Sequence, residues 1–156
     1  MKSVTAGLQG EHALIVENLG VLELLGPVDD ELEFLSRYVD GCHHAKEELV
    51  LFPALVRRGV AEEALVEVAL EQHKEGRRLL GEMRESRSRS VAKNYAELIR
   101  SHAEMEDSVT FAVAESALQD EEKESILASM ESLSRDRCAG FSETATRLAQ
   151  IWLRRP

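Results

Sequence analysis

The 156 residues carry a formal net charge of −10, with 44% hydrophobic and 31% charged side chains. That length and mixture suit one globular domain with a real core and exclude a disordered chain. The acidic balance argues against nucleic acid or an anionic membrane as main partner, because both reward basic surface. Aromatics make up 4% and prolines number 3, which favours helix and leaves little from which to build a sheet. Met1 to Gly10 lacks a signal-peptide layout, and no stretch reaches the ~18 apolar residues of a membrane span. Cys42 and Cys138 form neither a metal-type pair nor a disulfide framework, and would pair only if the fold brought them together. A reduced, cytoplasmic setting is therefore expected.

Periodicity predicts helix along most of the chain. The first helix runs from about Val4 to Leu25, with Leu8, Ile15, Leu19 and Leu22 on one stripe, and Gly26-Pro27 ends it. The second begins at a cap on Asp29 or Asp30 and continues to about Arg58, before Gly59. Pro53 inside it is expected to remove one backbone hydrogen bond and bend the axis. A third helix is predicted from about Ala61 to Glu85, followed by a solvated loop, Ser86-Arg87-Ser88-Arg89-Ser90. The fourth spans about Val91 to Leu118. A fifth, capped by Asp120, ends near Ser134, and a last runs from Ser142 to Leu153 with Ala145, Leu148, Ile151 and Trp152 at helical spacing. Four long helices on short connections predict an all-α, antiparallel up-down four-helix bundle, with the last two segments packed outside it or extending it. The chain reads as a single domain over 1–156, with a core bundle at about 5–118, an extension at about 119–156 and no internal repeat.

The five histidines are the informative feature: His12, His43, His44, His73 and His102. Each long helix carries at least one near its middle, and His12, His73 and His102 lie within apolar stripes that face a bundle interior. His43 is followed at four residues by Glu47, His44 by Glu48, and His102 by Glu106. That spacing stacks imidazole and carboxylate ~6 Å apart on one face, so both can reach one metal centre. Buried carboxylates are costly unless paired or metal-bound, so an interior receiving these groups has a physical reason to hold cations. No cysteine pattern accompanies them, and nitrogen-rich sites disfavour calcium and magnesium. Zinc and manganese stay open beside iron. A ferritin-like layout with two Glu-x-x-His copies is poorly matched, since Asp40, Leu70 and Ile99 precede His43, His73 and His102.

The segment His43-His44-Ala45-Lys46-Glu47-Glu48-Leu49-Val50-Leu51-Phe52-Pro53 resembles the H-x-x-x-E-E-x-x-L-F-P block of the hemerythrin-like, or HHE cation-binding, domains. Glu71-Gln72-His73-Lys74-Glu75-Gly76-Arg77 is similar to the third-helix element of that family, His102-Ala103-Glu104-Met105-Glu106 to its fourth-helix element, and Glu11-His12 to its first-helix histidine. The resemblance covers roughly residues 5 to 118. It implies a four-helix bundle with an oxo- or hydroxo-bridged pair of iron ions held by His12, His43, Glu47, His73, His102 and Glu106. His44 with Glu48 is the competing register; the position of Leu51-Phe52-Pro53 relative to Glu47 favours the first pair.

Two departures bear on function. Oxygen carriers of the family have a further histidine where this chain has Arg77, and they end the fourth-helix motif with Asp one place later, whereas Glu106 and Asp107 both occur here. Four histidines, two bridging carboxylates and one bridging oxygen would fill about ten of twelve positions around two six-coordinate irons, leaving two for water, Tyr95 or Glu48. Such a centre suits peroxide, NO or redox chemistry better than reversible O2 carriage. Arg77 is expected to pair with an outer carboxylate or to extend to solvent, and Cys42 to be packing. The resemblance implies a protein that takes a small diatomic or peroxide ligand, in sensing, scavenging or stress response. A peroxide-decomposing, catalase-like or iron-handling enzyme and a metal-free helical interaction module are the rival readings.

Overall fold

The computed structural model describes residues 2–154, and it is helical from end to end with no strand among the described residues. Helix α1 spans Ala6–Leu25 and stops where Gly26, at φ 79°, folds its N–H back onto the Leu22 carbonyl. Helix α2 covers 29–56, α3 Val60–Ser86, α4 89–117, α5 120–138 and α6 Phe141–Leu153. The acidic start expected for α2 is present as Asp29, Asp30 and Glu31 in its first turn. Pro53 lies inside α2, just after the wider, π-helical turn Glu47–Leu51.

The connection between α3 and α4 is shorter than expected. Ser86 and Arg89 are helical, which leaves Arg87, in the left-handed region at φ 55°, and Ser88, whose hydroxyl accepts from the Val91 N–H. Nor are its arginines simply solvated. Arg89 donates to the carbonyls of Leu24 and Leu25, and Arg87 to the Pro27 carbonyl and to Asp29. They close the bundle end by satisfying carbonyls that the stop at Gly26 leaves open.

Helix α1 packs against α4 and α6, α3 against α4, and α2 against α3 and α5. The expected C-terminal segments therefore lie on α1 and α2. Leu148 of α6 is buried in the core as its spacing suggested, whereas the side chains of Ala145 and Trp152 lie outside the described residues. Among the described residues, no helix is long and apolar enough to cross a membrane.

The apolar interior divides into two blocks, one around Leu19, Phe34, Val39, Met83 and Ile99 and another around Leu8, Leu51, Phe52, Val66 and Phe111. On every one of α1 to α4 the buried histidine lies between a residue of one block and a residue of the other: Leu8–His12–Ile15, Val39–His43–Leu51, Val66–His73–Leu79 and Ile99–His102–Phe111. A polar band therefore crosses the middle of the bundle.

The cysteines depart from expectation. Cys42 and Cys138 form a disulfide, with Cα atoms 5.3 Å apart. Packing of the 134–138 turn of α5 onto α2 brings together two thiols separated by 96 residues, a contact that spacing along the chain does not reveal.

Candidate metal centre

Helices α2 and α4 are π-helical where they carry the polar band. The wider turns are Leu35–His44, Glu47–Leu51 and Glu106–Thr110. Short π segments gather at functional sites because they redirect side chains. Here His43 and His44, which are consecutive, are both buried, at 0% and 3% exposure. The competition between them dissolves, since the fold accepts both. It does not treat the carboxylates equally: Glu47 is fully buried, while Glu48 turns to the outer side and meets His73 and Arg77.

Two groups of side chains converge, each with its candidate ligand atoms within 4.8 Å of one another. One is His12, His43, Glu47 and Glu106; the other is His44, Glu47, His73 and His102. The structure thus brings together all six residues of the expected set and, with them, His44 of the competing register. Inside the band, His12 Nε2 lies 3.2 Å and His102 Nε2 3.0 Å from Glu106 Oε1, while His73 Nε2 lies 3.3 Å and His43 Nε2 3.7 Å from Glu47 Oε1. Tyr95 is buried in the apolar block beside Gly76 and belongs to neither group.

Four of the five imidazoles turn their other nitrogen outward to an acceptor. The Nδ1 of His12 meets Asp107 at 2.7 Å, that of His43 meets Glu11 at 2.9 Å, that of His73 meets Glu48 at 3.2 Å and that of His102 meets Gln72 Oε1 at 2.6 Å. His44 Nδ1 approaches Asp40 at 3.6 Å, beyond hydrogen-bond range. Lys46 holds Glu11 at 2.5 Å, and Arg77 holds both Asp40 and Glu48. Outer acceptors of this kind set the tautomer and aim the second nitrogen at a metal.

The arrangement carries an internal correspondence that the linear sequence had not disclosed. Glu11-His12 of α1 matches Gln72-His73 of α3, and His43, Glu47-Glu48 and Phe52 of α2 match His102, Glu106-Asp107 and Phe111 of α4. In each half the residue before the first histidine holds the second histidine, and the residue after the inner glutamate holds the first histidine of the other helix pair. Phe111 stacks on His12 with centroids 5.3 Å apart, as Phe52 does on His73 at 5.8 Å. His44 breaks the correspondence: its counterpart on α4 is Ala103, and it stacks on His73 at 3.7 Å.

Burial sets the ionisation. It pulls His43 down to about 4 and His44 well below the imidazole range, the latter helped by His73, and it lowers His73 too. His12 moves the other way, because Glu106 and Asp107 outweigh its burial. Burial and the neighbouring Glu106 push Glu47 well above the carboxylate range, whereas His102 and His12 hold Glu106 below it against the same burial. Glu11 and Glu48 are lowered despite burial, by His43 with Lys46 and by His73 with Arg77.

The donor set fits a metal. With Nδ1–H of His73 given to Glu48 and that of His102 to Gln72, their Nε2 lone pairs face each other across 3.1 Å. Two lone pairs so placed repel, and a cation between them turns that repulsion into two bonds. Nε2 of His12 and His43 and all four oxygens of Glu47 and Glu106 are buried without a hydrogen-bond partner of acceptable geometry, a costly state that ligation relieves.

Among the groups that sequence reasoning left unassigned, Glu11 and Gln72 adjoin the histidines of α1 and α3, and Asp40 lies four before His44. Their positions beside histidines were the available signal; which histidine each serves is decided across helices.

The family model for the hemerythrin HHE cation binding domain matches residues 3–114. No curated protein and no solved structure matches the chain.

Proposed function

The chain belongs to the hemerythrin HHE cation-binding domain family, and on that premise we propose that it is a non-haem di-iron protein that binds or reacts with O2, peroxide or NO. In this reading His12 and His43 hold one iron, His44, His73 and His102 hold the other, and Glu47 and Glu106 serve both. The 3.1 Å approach of His73 Nε2 to His102 Nε2 carries the reading, supported by the unpartnered carboxylates beside them. The helices form the antiparallel four-helix bundle of the family. In support, the two apolar blocks are met in opposite order on α1 and α2, and again on α3 and α4.

Bound iron supplies redox and Lewis-acid chemistry toward the small ligand. The chain supplies orientation and exclusion of water. Asp107, Glu11, Glu48 and Gln72 fix four imidazoles, while Phe111 and Phe52 cover His12 and His73. Counting His44 as a ligand fills about eleven of twelve positions rather than ten. With fewer positions open, reversible O2 binding would not be disfavoured, and the remaining place would fall to the two-histidine side. A surface cleft between α1 and α4, lined by Gln9, Ala13, Val16, Arg100 and Ala103, reaches His12 on that side.

Metal analysis with an absorption spectrum tests the reading. About two irons per chain and an oxo-bridge band are expected, both lost in His102→Ala and Glu47→Ala. Zinc or manganese in their place, a single ion, or no metal rejects the di-iron centre. A spectrum that stays unchanged under O2, peroxide and NO rejects the ligand assignment.

A further inference from the structure

Arg77 stands four residues after His73, hence one turn along the same face of α3. Its Nε donates to Asp40 Oδ1 at 2.9 Å and its Nη2 donates to Glu48 Oε2. Those two carboxylates are the ones that address the outer nitrogens of His44 and His73, at 3.6 Å and 3.2 Å. The two imidazoles stack on each other, 17° from parallel. One guanidinium therefore reaches His73 through a carboxylate hydrogen-bonded to both, and a second carboxylate that it holds lies beside His44, a ring of the same group of candidate ligands. The other group has no equivalent: the position on α1 that corresponds to Arg77 is Val16, and there Lys46 holds Glu11 alone.

We propose that Arg77 is a positioning residue for the three-histidine half of the centre. It fixes Glu48, which holds Nδ1 of His73 and leaves its Nε2 inward, and it keeps Asp40 beside His44, on whose ring His73 stacks; it acts on that half only. The proposal rests on the two-metal reading above. The physical reason for arginine is its planar fork, whose donors diverge at fixed angles and can engage two carboxylates on separate turns. A lysine ammonium is a compact point charge that can neutralise one partner without orienting both. Loss of outer partners of metal-bound histidines costs ~10–100-fold in affinity, and here that cost should fall on one ion of two.

The test titrates metal-free protein with Co(II), reading site occupancy from the cobalt absorption bands and the fold from circular dichroism and thermal melting. Wild type is expected to bind two Co(II) per chain. Arg77→Met is expected to bind one with wild-type affinity and the second ~10–100-fold more weakly, Arg77→Lys to recover little of the loss, and Lys46→Met to leave the Arg77-dependent ion unchanged. Arg77→Gln, which keeps a polar head, serves if the methionine variant folds poorly. Two unchanged affinities with a lower melting temperature would show a merely structural arginine and overturn the proposal. Equal weakening of both ions would overturn it as well. Failure of wild type to bind two Co(II) would instead bring down the two-metal reading, and the proposal with it.

Discussion

The two halves of the polar band are built from the same parts and differ by one imidazole and one guanidinium. On one side His12 and His43 are held by Asp107 and Glu11. On the other, His73 and His102 are held by Glu48 and Gln72, and His44 is added with Arg77 behind it. Where the first half has Ala103 opposite the His44 position and Val16 opposite Arg77, the second has a donor and its support. A near-symmetric scaffold thus yields two unlike groups of four candidate ligands, one with three imidazoles and a carboxylate, the other with two of each and a surface cleft beside it. The difference lies in the imidazoles and their outer partners, while Glu47 belongs to both groups.

The comparison can be broken most severely at those shared carboxylates. Glu47→Gln is expected to abolish binding of both ions, a loss of more than ~100-fold at each, because Glu47 belongs to both groups. Burial and Glu106 favour the neutral acid at Glu47 in the metal-free protein, so the uncharged glutamine should change metal-free stability little; metal titration and a melting curve together check both halves of the statement. His44→Ala and His12→Ala sharpen the contrast. Each should lower the stoichiometry from two ions to one, but His12→Ala should also remove the response of the remaining spectrum to added azide, if the two-histidine side is the ligand entrance.

A third variant separates the centre from its frame. Replacing Cys42 and Cys138 with serine should cost about 2–4 kcal/mol of stability, as loss of a long-range bridge does, without changing how many ions bind; urea unfolding and metal analysis give the two numbers. The smallest effects are expected at the covering rings. Phe111→Leu and Phe52→Leu each remove a stacked pair worth about 0.5–1.5 kcal/mol, the first disturbing the two-histidine side and the second the three-histidine side. If both variants perturb the same absorption features, the halves are not independent.

Much of this was legible along the chain. Helix limits fell close to expectation because Gly26, Gly59 and the acidic start of α2 are local signals that act through the adjacent turn. The inward-facing histidines were legible because His12, His73 and His102 lie in apolar stripes. The choice between His43 and His44 was not legible, because apolar residues flank both; the structure buries both rings on a π-helical turn. The Ser86–Ser90 stretch looked like solvated loop because its composition is polar, yet its arginines serve carbonyls of α1, far along the chain.

Composition and periodicity by themselves determined an acidic all-helical chain with imidazoles and carboxylates turned inward, since both properties follow from intervals of three and four residues. Only the tertiary structure decided which carboxylate faces which imidazole, that Cys42 meets Cys138, and that Arg77 reaches two carboxylates of another helix. Those pairings join groups on different helices, and they depend on the register at which helices pack rather than on anything a single helix encodes.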